Sequence, residues 1–177
     1  MNNFQFCLRH LILPLFLLCG VNLSALSISA FTREADGEAT LSFCGLFSIQ
    51  NIALENKGLG PVLVMPKDLG GYKNLIITSK DFDAQIKKCF TACSFKKTCA
   101  APISLKLKSA HLFKSKKGIV ATLSIDGQVD AVFLVTKYRR GEKDIFKVKY
   151  PQDIKFLDSK LKERIKEVLI KEAKKLL

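Results

Sequence analysis

Apolar and polar residues alternate along several short segments of the chain, which is the spacing of a β-strand with one buried face. The pattern is clearest at residues 26–31 and 103–107, and each segment leads into a polar turn that contains glycine. Two other segments repeat apolar residues every three or four positions, one after Ser79 and one after Asp158. Both residues favour the N-cap of a helix. The patterns therefore predict short antiparallel strands and two amphipathic helices.

A sequence repeat divides the chain into two similar segments. Residues 39–45 and 121–127 share five of seven identities. Alternating strands precede both segments, and glycine turns at Gly71 and Gly141 follow them, each before a helix. Residues 55–66 of the first segment have almost no counterpart in the second, so we predict a shortened hairpin there.

The repeat predicts an α+β fold of two tandem units, each a small antiparallel β-meander with a C-terminal helix. The predicted boundaries are residues 26–98 for copy one, 99–102 for a linker and 103–177 for copy two. A unit this small buries too little apolar surface to be stable alone, so we expect the copies to pack as an intramolecular pseudo-dimer. Pairing between two chains, as a homodimer, is the alternative.

Several motifs resemble those of the stage V sporulation protein G (SpoVG) septation-regulator family. Residues 39–66, which end in Val62-Leu-Val-Met-Pro66, are similar to that family's central strands. Gly141-Glu-Lys-Asp-Ile145 resembles the family's Gly-Glu-Phe-Arg-Asp-Ile, and Gly71-Tyr-Lys-Asn-Leu75 is a weaker version of it. Tyr150-Pro151 stands where the family has His-Pro. The resemblance covers nearly the whole chain after residue 25, as two diverged copies.

The resemblance implies a non-enzymatic protein that dimerises through its sheet and regulates cell septation or sporulation. It also implies nucleic-acid binding, a property of some members. That inference carries over only to Lys73 and Lys143, where the family tends to have Lys or Arg. An exported protein that reuses the duplicated fold to contact envelope polymers or a protein partner is the alternative.

Residues 1–25 have the pattern of a signal peptide. Arg9 precedes an apolar run at residues 11–19, and small residues follow near position 25. We therefore expect export to the periplasm or cell envelope. If the true start lies further downstream, the protein is cytoplasmic instead.

The charge balance is strongly basic, with 29 Lys and Arg against 16 Asp and Glu and a formal net charge of +13. With 48% hydrophobic residues, this composition excludes a disordered tail or a collagen-like fibre. Most of the excess lies in residues 101–177, which hold 19 basic and 9 acidic residues. In the second helix the lysines alternate with glutamates, which is typical of a solvated helix face.

Period-two spacing places Lys143, Lys147 and Lys149 on one face of a predicted strand, opposite Phe146 and Tyr150. A basic sheet surface favours an anionic polymer: nucleic acid in the cytoplasm, or an envelope polymer or lipid head groups after export. A protein partner is also conceivable. The candidate binding residues are Lys73, Lys106, Lys108, Lys137, Arg139, Arg140, Lys143, Lys147 and Lys149.

No convergent set of acid, base and nucleophile is recognisable, so we expect no enzymatic activity, no cofactor and no metal site. Four cysteines follow the predicted signal peptide, an even number that allows two disulfides in an exported chain. Burial as small hydrophobic residues is the alternative for two of them, Cys44 and Cys89. The disulfide candidates, with open connectivity, are Cys44, Cys89, Cys93 and Cys99.

Overall fold

The computed structural model describes residues 26–58, 60–67, 73–92, 95, 102–113 and 117–177. Within them the chain forms two antiparallel sheets and two helices, so the α+β class predicted from the sequence is confirmed. The predicted signal peptide and most of the predicted linker lie outside the described residues.

The strands of the described residues are short in the first half of the chain and longer in the second. They are β1 (Ile28–Arg33), β2 (Ala39–Phe43), β3 (Phe47–Asn56), β4 (Pro61–Val64), β5 (Leu75–Ile77), β6 (Leu105–Leu112), β7 (Gly118–Ile125), β8 (Val129–Arg140), β9 (Lys143–Lys149) and β10 (Ile154–Phe156). The first sheet has the order β1-β2-β3-β10, with β4 paired to β3. The second sheet has the order β5-β8-β7-β6, with β9 paired to β8.

The sequence repeat forms the same tight turn in both halves. Cys44 and Gly45 have φ angles of 54° and 67°, and Asp126 and Gly127 have φ angles of 54° and 68°. Two consecutive positive φ angles define a two-residue hairpin turn of type I′, whose twist matches that of the strands it joins. The turns thus join β2 to β3 and β7 to β8 with the same geometry.

Each half of the chain supplies a short strand to the sheet of the other half. β5 pairs with β8, where Leu75 lies opposite Ala131. β10 pairs with β3, where Ile154 lies opposite Ile49. Ile49 and Ala131 lie at the same distance along the chain from their tight turns, so the two exchanged strands have the same register.

Two capped helices follow the exchanged strands. The Ser79 side chain accepts a hydrogen bond from Phe82 N at 3.3 Å at the start of α1 (Lys80–Cys89). The Asp158 side chain accepts one from Leu161 N at 2.7 Å at the start of α2 (Ser159–Leu176). Both helices and both N-caps were predictable from the spacing and the capping residues, and both are confirmed.

Aromatic side chains connect the two halves inside the core. Phe43 and Phe47 have ring centroids 5.1 Å apart, and Phe47 and Phe156 are 6.4 Å apart. Tyr150 then lies 5.3 Å from Phe156 and 5.9 Å from Phe133. Aromatic residues bury large apolar areas, so this continuous series makes one core from both halves.

The prediction that copy two has a shortened hairpin is wrong. β8 extends beyond its pairing with β7 and turns at Gly141 into β9, just as β3 turns near Gly58 into β4. Both glycines have positive φ, 63° and 75°. Gly141 therefore corresponds to Gly58 and not to Gly71, because alternation alone does not reveal which strand a segment will pair with. The second half lacks the long connection that joins β4 to β5 in the first half.

Candidate anion-binding surface

Strand β9 divides its side chains between two faces. Lys143, Lys147 and Lys149 are exposed, whereas Phe146 and Val148 pack against the hydrophobic core. This agrees with the alternation predicted from the sequence. Helix α2 packs against β6 to β10 on the core side of the sheet, so the lysines lie on the face directed away from it.

Cross-strand register extends this lysine face across the whole second sheet. Lys149 lies opposite Leu134, and Leu134 lies opposite Val120 on the next strand. Val120 in turn lies opposite His111 on β6. We call this face of β6, β7, β8 and β9 the open face.

The open face combines an apolar centre with basic edges. Val120 and Leu134 are half-buried on the two central strands. Lys147 and Lys149 project from β9, and Lys106 projects from β6 at the other edge. A flat surface with cations along both edges attracts an extended anion that crosses the strands.

Three ring-bearing side chains lie on the open face that the sequence analysis did not place there. Phe113 and Tyr138 are 47% and 48% exposed, and His111 is exposed beside Val120. A β-bulge at Lys108 shifts the register between Leu107 and Ser109, so the residues after it change face. Strict alternation from Lys106 directs His111 and Phe113 to the wrong side. The exposed aromatic rings would have been the signal, had the bulge been recognised.

Lys108 is neutralised by a buried carboxylate. Its Nζ lies 2.7 Å from Oδ2 of Asp130, whose side chain is 10% exposed. Ser124 lies opposite Asp130, and neither Ser124 Oγ nor Asp130 Oδ1 has a hydrogen-bond partner among the described residues. Lys108 therefore offers less net charge to a ligand than Lys106 does.

The structure divides the predicted basic cluster of β8 between the two faces. Arg140 lies opposite Lys143 at the end of the open face. Lys137 and Arg139 lie on the opposite face, where Lys137 Nζ is 3.0 Å from Asp144 Oδ2 and 3.4 Å from the main-chain oxygen of Leu177. Lys137 thus connects β9 to the end of α2.

Lys73 is separate from the open face. It is exposed and forms an isolated antiparallel bridge with Lys67, before β5 begins. It lies outside the strands that carry the other candidates.

The basic residues of α2 are engaged by neighbouring glutamates, as the sequence analysis predicted. Lys166 Nζ lies 3.0 Å from Glu163, and Lys175 Nζ lies 2.8 Å from Glu172. Lys162 Nζ lies 5.3 Å from the centre of the Tyr150 ring. Burial, with a smaller effect from the Glu163 carboxylate, raises the pKa of the Tyr150 phenol.

Two of the cysteine candidates can be placed. Cys44 is disulfide-bonded and lies in the tight turn after β2, where the amide of Ser27 donates a hydrogen bond to its sulfur at 3.3 Å. Cys89 is buried at the end of α1. Cys93 and Cys99 lie outside the described residues.

Within the described part of the chain, His, Cys, Asp and Glu side chains form no group of three or more that could hold a metal ion. Neither α1 nor α2 combines the length and apolar character needed to cross a bilayer.

No protein-family model matches this chain, and no curated protein or solved structure matches it. The SpoVG resemblance therefore remains a prediction from the residues quoted above.

Proposed function

We propose that this chain is a non-enzymatic binding protein that holds an anionic polymer on the open face. The observation that carries the proposal is the row from His111 to Lys149, in which an apolar centre is flanked by basic and ring-bearing side chains. Phosphates or sulfates would contact the lysines, and rings such as Phe113 would contact flat or apolar groups of the polymer.

The scaffold for this surface is, in the same proposal, a duplicated SpoVG-like unit packed as an intramolecular pseudo-dimer. The equal register of the two exchanged strands, Leu75 opposite Ala131 and Ile154 opposite Ile49, supports it. The two halves would then have diverged, since only the second carries the long lysine-bearing hairpin of β8 and β9. The septation or sporulation role stays an expectation from the resemblance.

The exported form of this function has one observation in its favour. Cys44 is disulfide-bonded, and such bonds persist mainly in oxidising compartments. In an envelope the polymer would be an anionic envelope polymer, whereas in the cytoplasm it would be nucleic acid. The same lysines serve both.

A salt titration tests the proposal. Binding of labelled oligothymidylate and of labelled heparin is measured by fluorescence anisotropy at several salt concentrations. We expect affinity to fall steeply with salt, with about 0.7 added to the slope of log K against log salt for each phosphate contacted on a single strand.

A matched pair of variants locates the binding. Lys147→Ala with Lys149→Ala is expected to reduce the slope by about one. Lys171→Ala with Lys174→Ala removes the same charge from exposed positions of α2 and is expected to leave the slope almost unchanged. No binding to either polymer, or equal losses in both variants, would contradict the proposal.

A further inference from the structure

Two hairpins of the second sheet end side by side. Phe113 N donates a hydrogen bond to Gly118 O at 2.7 Å at the end of the β6–β7 hairpin. Lys137 N donates one to Lys117 O at 2.9 Å, which connects that hairpin to the strand leading into the β8–β9 turn. We call this edge of the molecule the hairpin end; it contains Leu112, Phe113, Lys117, and residues 137–143.

Large apolar side chains are exposed at the hairpin end. Leu112, Phe113 and Tyr138 are 49%, 47% and 48% exposed. Phe113 and Tyr138 lie on the open face, whereas Leu112 lies opposite the buried Ile119 and so belongs to the other face. Because they come from both faces, these side chains surround the end of the sheet and do not line a single flat surface.

Basic side chains accompany the apolar ones. Lys117, Arg139, Arg140 and Lys143 are exposed at the same end. Asp144 is paired with Lys137, which leaves Glu142 as the acidic residue of the turn without a described ion pair. The hairpin end is therefore apolar at its centre and positive around it.

We propose that the hairpin end docks onto the surface of an anionic lipid bilayer. Phenylalanine, tyrosine and leucine side chains enter the boundary between head groups and acyl chains, while lysine and arginine contact the anionic head groups. A polymer lying across the open face would not reach Leu112, whereas a bilayer that meets the end of the sheet contacts side chains from both faces. This inference goes beyond the proposed function, since it uses residues other than Lys147 and Lys149.

The chain contains no Trp, which allows a direct test. Phe113→Trp places a single fluorophore at the hairpin end, and Ile76→Trp places one at a position 47% exposed in β5, at the other end of the same sheet. With vesicles of phosphatidylglycerol we expect a blue shift and quenching by brominated acyl chains for Phe113→Trp alone. With phosphatidylcholine vesicles we expect neither.

Sedimentation with the same vesicles supplies the second measurement. Leu112→Ser with Phe113→Ser is expected to lower binding to phosphatidylglycerol vesicles at least tenfold, while Leu157→Ser, which changes a side chain 49% exposed elsewhere, leaves it unchanged. Wild-type protein that stays in solution with phosphatidylglycerol vesicles would overturn the inference. So would a Phe113→Trp emission that shifts with oligothymidylate and not with vesicles, which would assign the hairpin end to nucleic acid.

The two proposals fail separately. Loss of oligothymidylate and heparin binding in Lys147→Ala with Lys149→Ala, with vesicle insertion retained, supports both sites. Vesicle insertion without any polymer binding would overturn the proposed function and leave the bilayer contact in place.

Discussion

Ile154 of β10 lies opposite Ile49 of β3, so a strand from the last part of the chain completes the sheet of the first part. Ile154 is 6% exposed and Ile49 is fully buried. The reciprocal contact, Leu75 opposite Ala131, completes the second sheet. Neither half therefore has a complete sheet of its own, and we expect the described fold to unfold as one cooperative unit.

Ile154→Ala tests this cooperativity. Removing a buried isoleucine side chain is expected to lower the free energy of unfolding by about 2–5 kcal/mol. The neighbouring Lys155→Ala, at an exposed position, is expected to change it by less than about 0.5 kcal/mol. Urea unfolding followed by circular dichroism measures both. Two separate transitions in either variant would contradict the exchange of strands between halves.

Much of this fold follows from local sequence. The caps Ser79 and Asp158, the two helices and the face assignment of Lys143 to Lys149 depend on contacts within a few residues, which spacing reports well. The exchange of β5 and β10 depends on contacts between distant segments, and their short apolar runs fit more than one partner strand. The place of His111 and Phe113 depends on the bulge at Lys108, which strict alternation does not include.

The Lys108–Asp130 ion pair is expected to stabilise the second sheet. Lys108→Ala leaves the Asp130 carboxylate buried without its cation and should cost about 1–3 kcal/mol of unfolding free energy. Adding Asp130→Asn should recover part of that loss, because the coupling of neighbouring residues is about 0.5–3 kcal/mol. Lys106→Ala, on the same strand, is the control. Equal effects of Lys106→Ala and Lys108→Ala on urea midpoints would argue against the pair.

Gly118 is expected to be intolerant of a side chain. A Cβ there would lie 2.6 Å from the main-chain oxygen of Val135, so β7 and β8 would have to separate. Gly118→Ala should therefore lower stability by about 1–3 kcal/mol. Thermal unfolding provides the measurement, with Ser109→Ala as the comparison on the neighbouring strand. A Gly118→Ala protein as stable as the wild type would show that the two strands can adjust.

Tyr150 is expected to contribute to loss of stability at alkaline pH. Burial first, and the Glu163 carboxylate second, raise the pKa of its phenol above the ordinary value of 10.0. The unfolded chain then loses this proton at lower pH than the folded chain, so stability is retained below about pH 10 and falls as pH rises through the folded pKa.

Tyr150→Phe removes the titrating group but keeps the ring between Phe133 and Phe156. The variant should show a shallower fall in unfolding free energy above about pH 10 than the wild type. Tyr138→Phe, at an exposed site, serves as the control and should keep the wild-type curve. Identical curves for Tyr150→Phe and the wild type would contradict the assignment.

The central claim is that the open face, and not α2, binds the anionic polymer. Backbone amide shifts of the full chain, followed by NMR during titration with oligothymidylate, test it most directly. The account predicts shifts in β6 to β9, centred on the row that contains Val120, Leu134 and Lys149, with α2 residues such as Lys166 and Lys171 unaffected. Shifts centred on α2, or no shifts at low salt, would contradict it.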